Sequence, residues 1–135
     1  MLFEEGLEAV FLRHRLLAEA VRRAVATWSQ GGALDFNIQA PGERAGTVTT
    51  VLFGEGSDPK ALLDYCNTKC GVVLGSGIGA LSGKAIRIAH MGHVNAPMVL
   101  GTLAVAEVGL QALGIPHGKG GVQAAIDWLG DQVTA

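Results

Sequence analysis

Aromatic side chains are scarce in this sequence, 5% of its 135 residues. The apolar half of the chain, 49%, is therefore mostly Ala, Val and Leu, the composition of helices packed closely through small residues. Charge is thin as well. Asp, Glu, Lys and Arg make up 16% and the net charge is −2, with the basic residues scattered. That pattern gives no electrostatic footprint for nucleic acid, and no run of like charges marks a disordered tail. The longest apolar run, Ala96 to Ala106, is interrupted by Gly101 and Thr102 and ended by Glu107. It falls short of the roughly 20 residues a membrane span needs, so no membrane partner is expected. Met1-Leu2-Phe3-Glu4-Glu5 lacks the basic and apolar stretches of a secretory signal, which points to a cytoplasmic protein. The two cysteines, Cys66 and Cys70, sit four apart in a helical stretch. Nothing suggests an oxidising compartment, and they are expected as a buried structural pair.

The length allows one domain, 1–135, and is too short for two. Leu7, Val10, Phe11, His14, Leu17, Val21, Val25 and Trp28 recur at spacings of three and four, which predicts one helix over Glu4 to Gln30. Leu34 to Ile38 reads as a short strand, and Thr47 to Phe53 (TVTTVLF) is the clearest strand in the chain. Ser57 or Asp58 can cap a helix that Pro59 opens and Gly71 ends. Val72 to Leu74 reads as a short buried strand, and Lys84 to His90 (KAIRIAH) alternates as another. Ala96 to Leu113 and Val122 to Val133 are helical around a break at Gly114-Ile115-Pro116. The order α-β-β-α-β-β-α-α, with short antiparallel strands and helices on one face, indicates an α+β fold.

Two glycine motifs suggest nucleotide binding and fail on mechanism. Gly75-Ser76-Gly77-Ile78-Gly79-Ala80 fits a dinucleotide fingerprint in letters only, because a strand rather than a helix follows it. Gly83-Lys84 lacks the upstream glycine of a P-loop, where Ile78 stands, and has Ala85 in place of the Ser or Thr that holds magnesium. His90, His93 and His117 are the remaining candidates for a metal, but His117 lies in a distant loop and no metal is expected. The chain offers no acid–base carboxylate pair and no nucleophile elbow. On residue chemistry alone it lacks a complete active site.

Four stretches taken together are more specific. They are FEEGLEAVFLRHRLLAEAVRRAV, ERAGTVTTVLF, GVVLGSGIGALSGKAIRIAHMGHVN and IPHGKGG, running from Phe3 to Gly121. In this order they resemble the C-terminal part of class V pyridoxal-phosphate aminotransferases of the serine–glyoxylate and alanine–glyoxylate type. The resemblance implies the small α+β domain of the aspartate-aminotransferase-like architecture. It also implies a homodimer, small amino acid and oxo-acid substrates, and a large cofactor-binding domain that this chain does not contain. Arg87 falls on the family arginine that binds the substrate α-carboxylate, a task suited to a bidentate guanidinium fork. Gly75, Ser76 and Gly77 are further candidates for substrate contact. Lys84 matches a lysine of the small domain, not the cofactor lysine, and none of Lys60, Lys69, Lys84 and Lys119 is expected to hold pyridoxal 5'-phosphate. The chain is thus expected to be part of a longer enzyme, silent by itself and free of bound cofactor. It departs from the family pattern at Ala45-Gly46, where Ser-Pro is common, and at Ala89, where glycine is usual.

Two other readings compete. A cysteine desulfurase shares the fold but carries a nucleophilic cysteine in the loop before the arginine strand, and Leu74 to Gly83 contains none. A stand-alone amino-acid-binding regulatory module of ferredoxin-like type is the alternative from another class.

Overall fold

The computed structural model describes residues 2–134, with side chains through residue 132. The terminal residues of the expected 1–135 unit, Met1 and Ala135, lie outside the described residues. The helix expected over Glu4 to Gln30 is two helices, α1 (Leu2–Glu5) and α2 (Leu7–Ser29). Gly6 between them has φ +90°, a left-handed value that interrupts the helical ladder. The apolar stripe is also only partly buried. Val10 and the residues from Leu17 to Trp28 enter the core, whereas Leu7 and Phe11 remain exposed.

Next come β1 (Leu34–Phe36), β2 (Val48–Phe53) and α3 (Pro59–Cys70). The Asp58 carboxylate accepts the Lys60 amide to start α3, with Pro59 in its first turn, as expected. The strand expected over Val72 to Leu74 does not form. Pairing begins instead at β3 (Gly75–Ser76), and Val73 is 78% exposed while Val72 and Leu74 pack against the edge of the core. β4 (Ala85–Ala89), α4 (Ala96–Ala112) and α5 (Gly121–Thr134) complete the chain.

The four strands form one antiparallel sheet in the order β1-β2-β4-β3. Its buried face carries Leu34, Phe36, Thr49, Val51, Ile86 and Ile88, covered by the helices. The opposite face carries Asp35, Thr50, Arg87 and Ala89, all at least partly exposed. This is the expected α+β architecture. Its element order is not the β-α-β-β-α-β of the ferredoxin-like alternative.

The cysteines divide. Cys66 is fully buried against the core, and burial pushes its thiol up from the ordinary value. Cys70 is exposed, because it is the last residue of α3 and the chain turns away at Gly71. The expected buried pair is therefore one buried thiol and one surface thiol.

The Ile115–Gly121 connection lies across the end of α2. The Gly118 amide donates to the Trp28 carbonyl at 3.1 Å. A Cβ at Gly118 would stand 2.0 Å from the Thr27 carbonyl oxygen, and one at Gly121 would stand 2.2 Å from Trp28 Nε1. Glu107 of α4 then accepts the Gly120, Gly121 and Val122 amides, so its carboxylate caps α5. Gly118→Ala and Gly121→Ala should each cost about 1–3 kcal/mol, the usual penalty for overpacking. Gly101→Ala, on an exposed face of α4 with nothing within 4 Å, should gain roughly 0.5–1 kcal/mol. Urea midpoints of the three variants check this, and a loss at Gly101 equal to that at Gly118 would contradict the packing account.

Candidate functional site

The site is built on β4. Ala85, Ile86 and Ile88 are buried, and Arg87 between the two isoleucines emerges on the open face with partial exposure. A strand places successive side chains on opposite faces, so burial of the isoleucines leaves Arg87 no other direction. Its cross-strand partners are Thr50 on β2 and Gly75 on β3. Arg87 Nε donates to the Ser76 carbonyl at 2.7 Å. No carboxylate pairs with Arg87 among the described residues, and its two terminal nitrogens donate to none of them. The guanidinium is anchored at its base and open at its fork.

The three glycine-loop candidates have different parts. Gly75 is directly beside the Arg87 stem, Ser76 supplies the carbonyl, and Gly77 is buried with its amide bonded to the Ala85 carbonyl. Only the first two touch Arg87. Thr50, opposite Arg87 in register, was not singled out in the sequence, although the alternation of β2 places it on that face.

The histidines do other work. His90 is fully buried; its Nδ1–H donates to the Gly46 carbonyl at 3.1 Å and its Nε2 accepts from the Thr49 hydroxyl at 2.9 Å. His14 Nδ1–H donates to the Val10 carbonyl, and its Nε2 accepts the Gly92 amide at 3.0 Å. Arg13 bridges Glu5 and the carbonyls of Gly92 and Val94, and its guanidinium holds the Glu5 carboxyl below the usual range. The His90–Asn95 turn is thereby tied to α2. His117 Nδ1–H donates to the Ile115 carbonyl at 2.7 Å. No group of three or more metal-ligating side chains gathers among the described residues.

A cavity of about 690 Å³ lies between the start of α2 and the loops around Thr47 and His93. Leu2, Val10 and Phe11 make it largely apolar, and Arg87 is not in its walls. No helix among the described residues is long and apolar enough to cross a membrane.

A covalently held pyridoxal phosphate needs a lysine amine in an enclosed pocket and an acid facing the ring nitrogen. Lys60 is paired with Asp64 on the exposed side of α3, Lys119 bonds the Gln111 amide oxygen, and Lys69 and Lys84 are exposed. The described residues of this chain do not fit that group.

No family model matches the chain. Over 99% of its length it is 38% identical to serine–glyoxylate aminotransferase of Methylorubrum extorquens, of which it covers 33%. It is 34% identical over 97% of its length to L-aspartate–glyoxylate aminotransferase of Paracoccus denitrificans, covering 32% of that protein. The crystal structure of pyridoxamine–pyruvate aminotransferase from Mesorhizobium loti matches 96% of the chain with a TM-score of 0.85 and 31% identity, over 32% of its own length. The chain thus spans about a third of the length of the curated relatives it matches. The likeness to aminotransferases read from the four stretches is borne out in both sequence and fold.

His90 also sets a pH dependence. Burial pushes its pKa below the ordinary histidine value, the bond to the Gly46 carbonyl opposes this, and the nearby Arg22 cation acts with burial. The unfolded chain therefore binds the proton more readily than the folded one. The resulting stability is complete above the unfolded value of about 6.5 and is lost as pH falls through the lower, folded value. Between about pH 7.5 and 5.5 the urea midpoint should fall more in the native chain than in His90→Gln. Equal slopes in the two chains would contradict this.

Proposed function

We propose that this chain is the small C-terminal domain of a class V pyridoxal-phosphate aminotransferase, with Arg87 binding the substrate α-carboxylate. The whole enzyme moves an amino group from a small amino acid, serine or alanine, to glyoxylate or pyruvate. The observation that carries this reading is an arginine fork with no protein partner among the described residues, on a chain similar throughout its length to glyoxylate aminotransferases. An arginine held only through Nε keeps both terminal nitrogens available, and a carboxylate accepts two parallel hydrogen bonds from such a fork.

The division of labour follows from the side chains present. This chain supplies a cation on an exposed sheet face and holds it in one orientation. The cofactor lysine and the pyridine-facing acid belong, on this reading, to a large domain outside the chain. That domain covers the open face and removes water from around Arg87, which strengthens the contact. Exposed apolar side chains on α1, α2 and α4, among them Phe3, Phe11, Met98 and Val108, support burial against that domain or a second subunit of a homodimer.

In the whole enzyme, Arg87→Ala should lower kcat/KM for both the amino donor and the oxo-acid acceptor, since both present the same carboxylate. The loss is about 2–4 kcal/mol for a charge-assisted bidentate contact, or roughly 30- to 1000-fold. Arg87→Lys should recover only part, because an ammonium cannot match the fork. Cofactor content should not change. Near-normal turnover of both substrates, or simple loss of the cofactor, would show that Arg87 has another role.

A further inference from the structure

We infer that Gly75 is a positioning residue for Arg87, bare so that the arginine stem can lie across β3 and fix its guanidinium on the Ser76 carbonyl. The inference rests on the reading of Arg87 as the carboxylate anchor and extends it to what aims the fork. Gly75 and Arg87 are paired directly across the β3–β4 ladder. Opposed residues in such a ladder ordinarily hold their Cβ atoms about 4.5–5.5 Å apart. A Cβ at Gly75 would stand 3.2 Å from Arg87 Cβ, 3.3 Å from the Arg87 carbonyl oxygen and 3.5 Å from Arg87 Nε. The strands therefore approach more closely here than two side chains ordinarily do, and a Cβ at 75 would press on the Arg87 stem and displace it by a few tenths of an ångström. Nothing in the backbone conformation of Gly75 calls for glycine, since it is not among the glycines of positive φ. What a side chain there would meet is Arg87, at its Cβ, its carbonyl oxygen and its Nε.

The Ser76 carbonyl does the second half of the work. A free arginine on an open sheet face samples many rotamers, and ordering it costs part of any contact it makes. The 2.7 Å bond from Nε to the Ser76 carbonyl restrains the guanidinium before substrate arrives and leaves both terminal nitrogens for an end-on bidentate carboxylate. Ser76 contributes a main-chain atom, and its side chain is exposed. Gly75 and Ser76 thus act on substrate through Arg87 and not by contact of their own.

The first test uses this chain unchanged. Arg87 Nε–H, followed by ¹⁵N NMR, should exchange with solvent at least about tenfold more slowly than that of Arg15, which is exposed and has no side-chain hydrogen bond among the described residues. Gly75→Ala should abolish that difference while the amides of Ile86 and Ile88 keep their protection. Fast exchange in the unchanged chain, or slow exchange that survives Gly75→Ala, overturns the proposal without any variant having to be active. In the whole enzyme, Gly75→Ala should raise KM for donor and acceptor with the smaller change in kcat, lowering kcat/KM by roughly 10- to 100-fold. In an Arg87→Ala background the same substitution should cost less than about twofold. A full loss in that background overturns the proposal, whereas normal activity of Arg87→Ala itself would refute the carboxylate reading and leave the NMR result standing.

Discussion

Ile86 and Ile88 are buried on one face of β4, with buried His90 just past its end, and a strand that buries these two residues has no freedom in where it puts the one between. Arg87 is consequently driven to the open face by the hydrophobic effect acting on its neighbours. A slip of one residue in the β2–β4 register would bury a guanidinium and expose two isoleucines. That cost holds the pairing of Thr50 with Arg87 and of Thr49 with Ile88. The chemistry of the open face depends on this register more than on any contact that Arg87 makes itself.

The polar groups behind the sheet secure the same arrangement from the other side. His90 joins the end of β4 to the Gly46 carbonyl and to Thr49, so the loop entering β2 and the end of β4 are held by one imidazole. Arg22 donates to the carbonyls of Arg44 and Ala45, and Arg13 and His14 bind Gly92 and Val94. Three side chains of α2 thereby fix the loop entering β2 and the loop leaving β4, which lie side by side at one end of the antiparallel pair. Because the partners at 45, 46 and 92 are main-chain atoms, Ala45-Gly46 can stand where the family often has Ser-Pro without loss of these bonds.

Much of this was legible in the residues. The alternation of KAIRIAH fixed the direction of Arg87, Asp58 and Pro59 marked the start of α3, and the resemblance carried by four stretches in order implied the aminotransferase small-domain fold. What escaped had physical reasons. A single glycine in a long helical pattern is ordinarily tolerated, and nothing local revealed that Gly6 takes a left-handed φ. Val72 to Leu74 is apolar enough for a strand, but β4 has its hydrogen-bonding edge occupied only from Gly75 onward. Cys70 lies on the helical face of Cys66 yet one turn beyond the packing. The Ser76 carbonyl is a backbone atom and leaves no mark in composition. The pair of Thr49 and His90 could have been found, since both fall at inward positions of their strands and a buried polar residue seeks a partner.

The central claim is that the Arg87 fork meets the substrate carboxylate, and it is tested most directly by changing the substrate. In the whole enzyme, binding of the amino donor should be compared with binding of its carboxamide, in the native protein and in Arg87→Ala. The account predicts that the native enzyme favours the carboxylate by at least about 30-fold and that the variant favours it by less than about threefold. An undiminished preference in the variant would mean that the carboxylate is recognised elsewhere, and the assignment of Arg87 would fall.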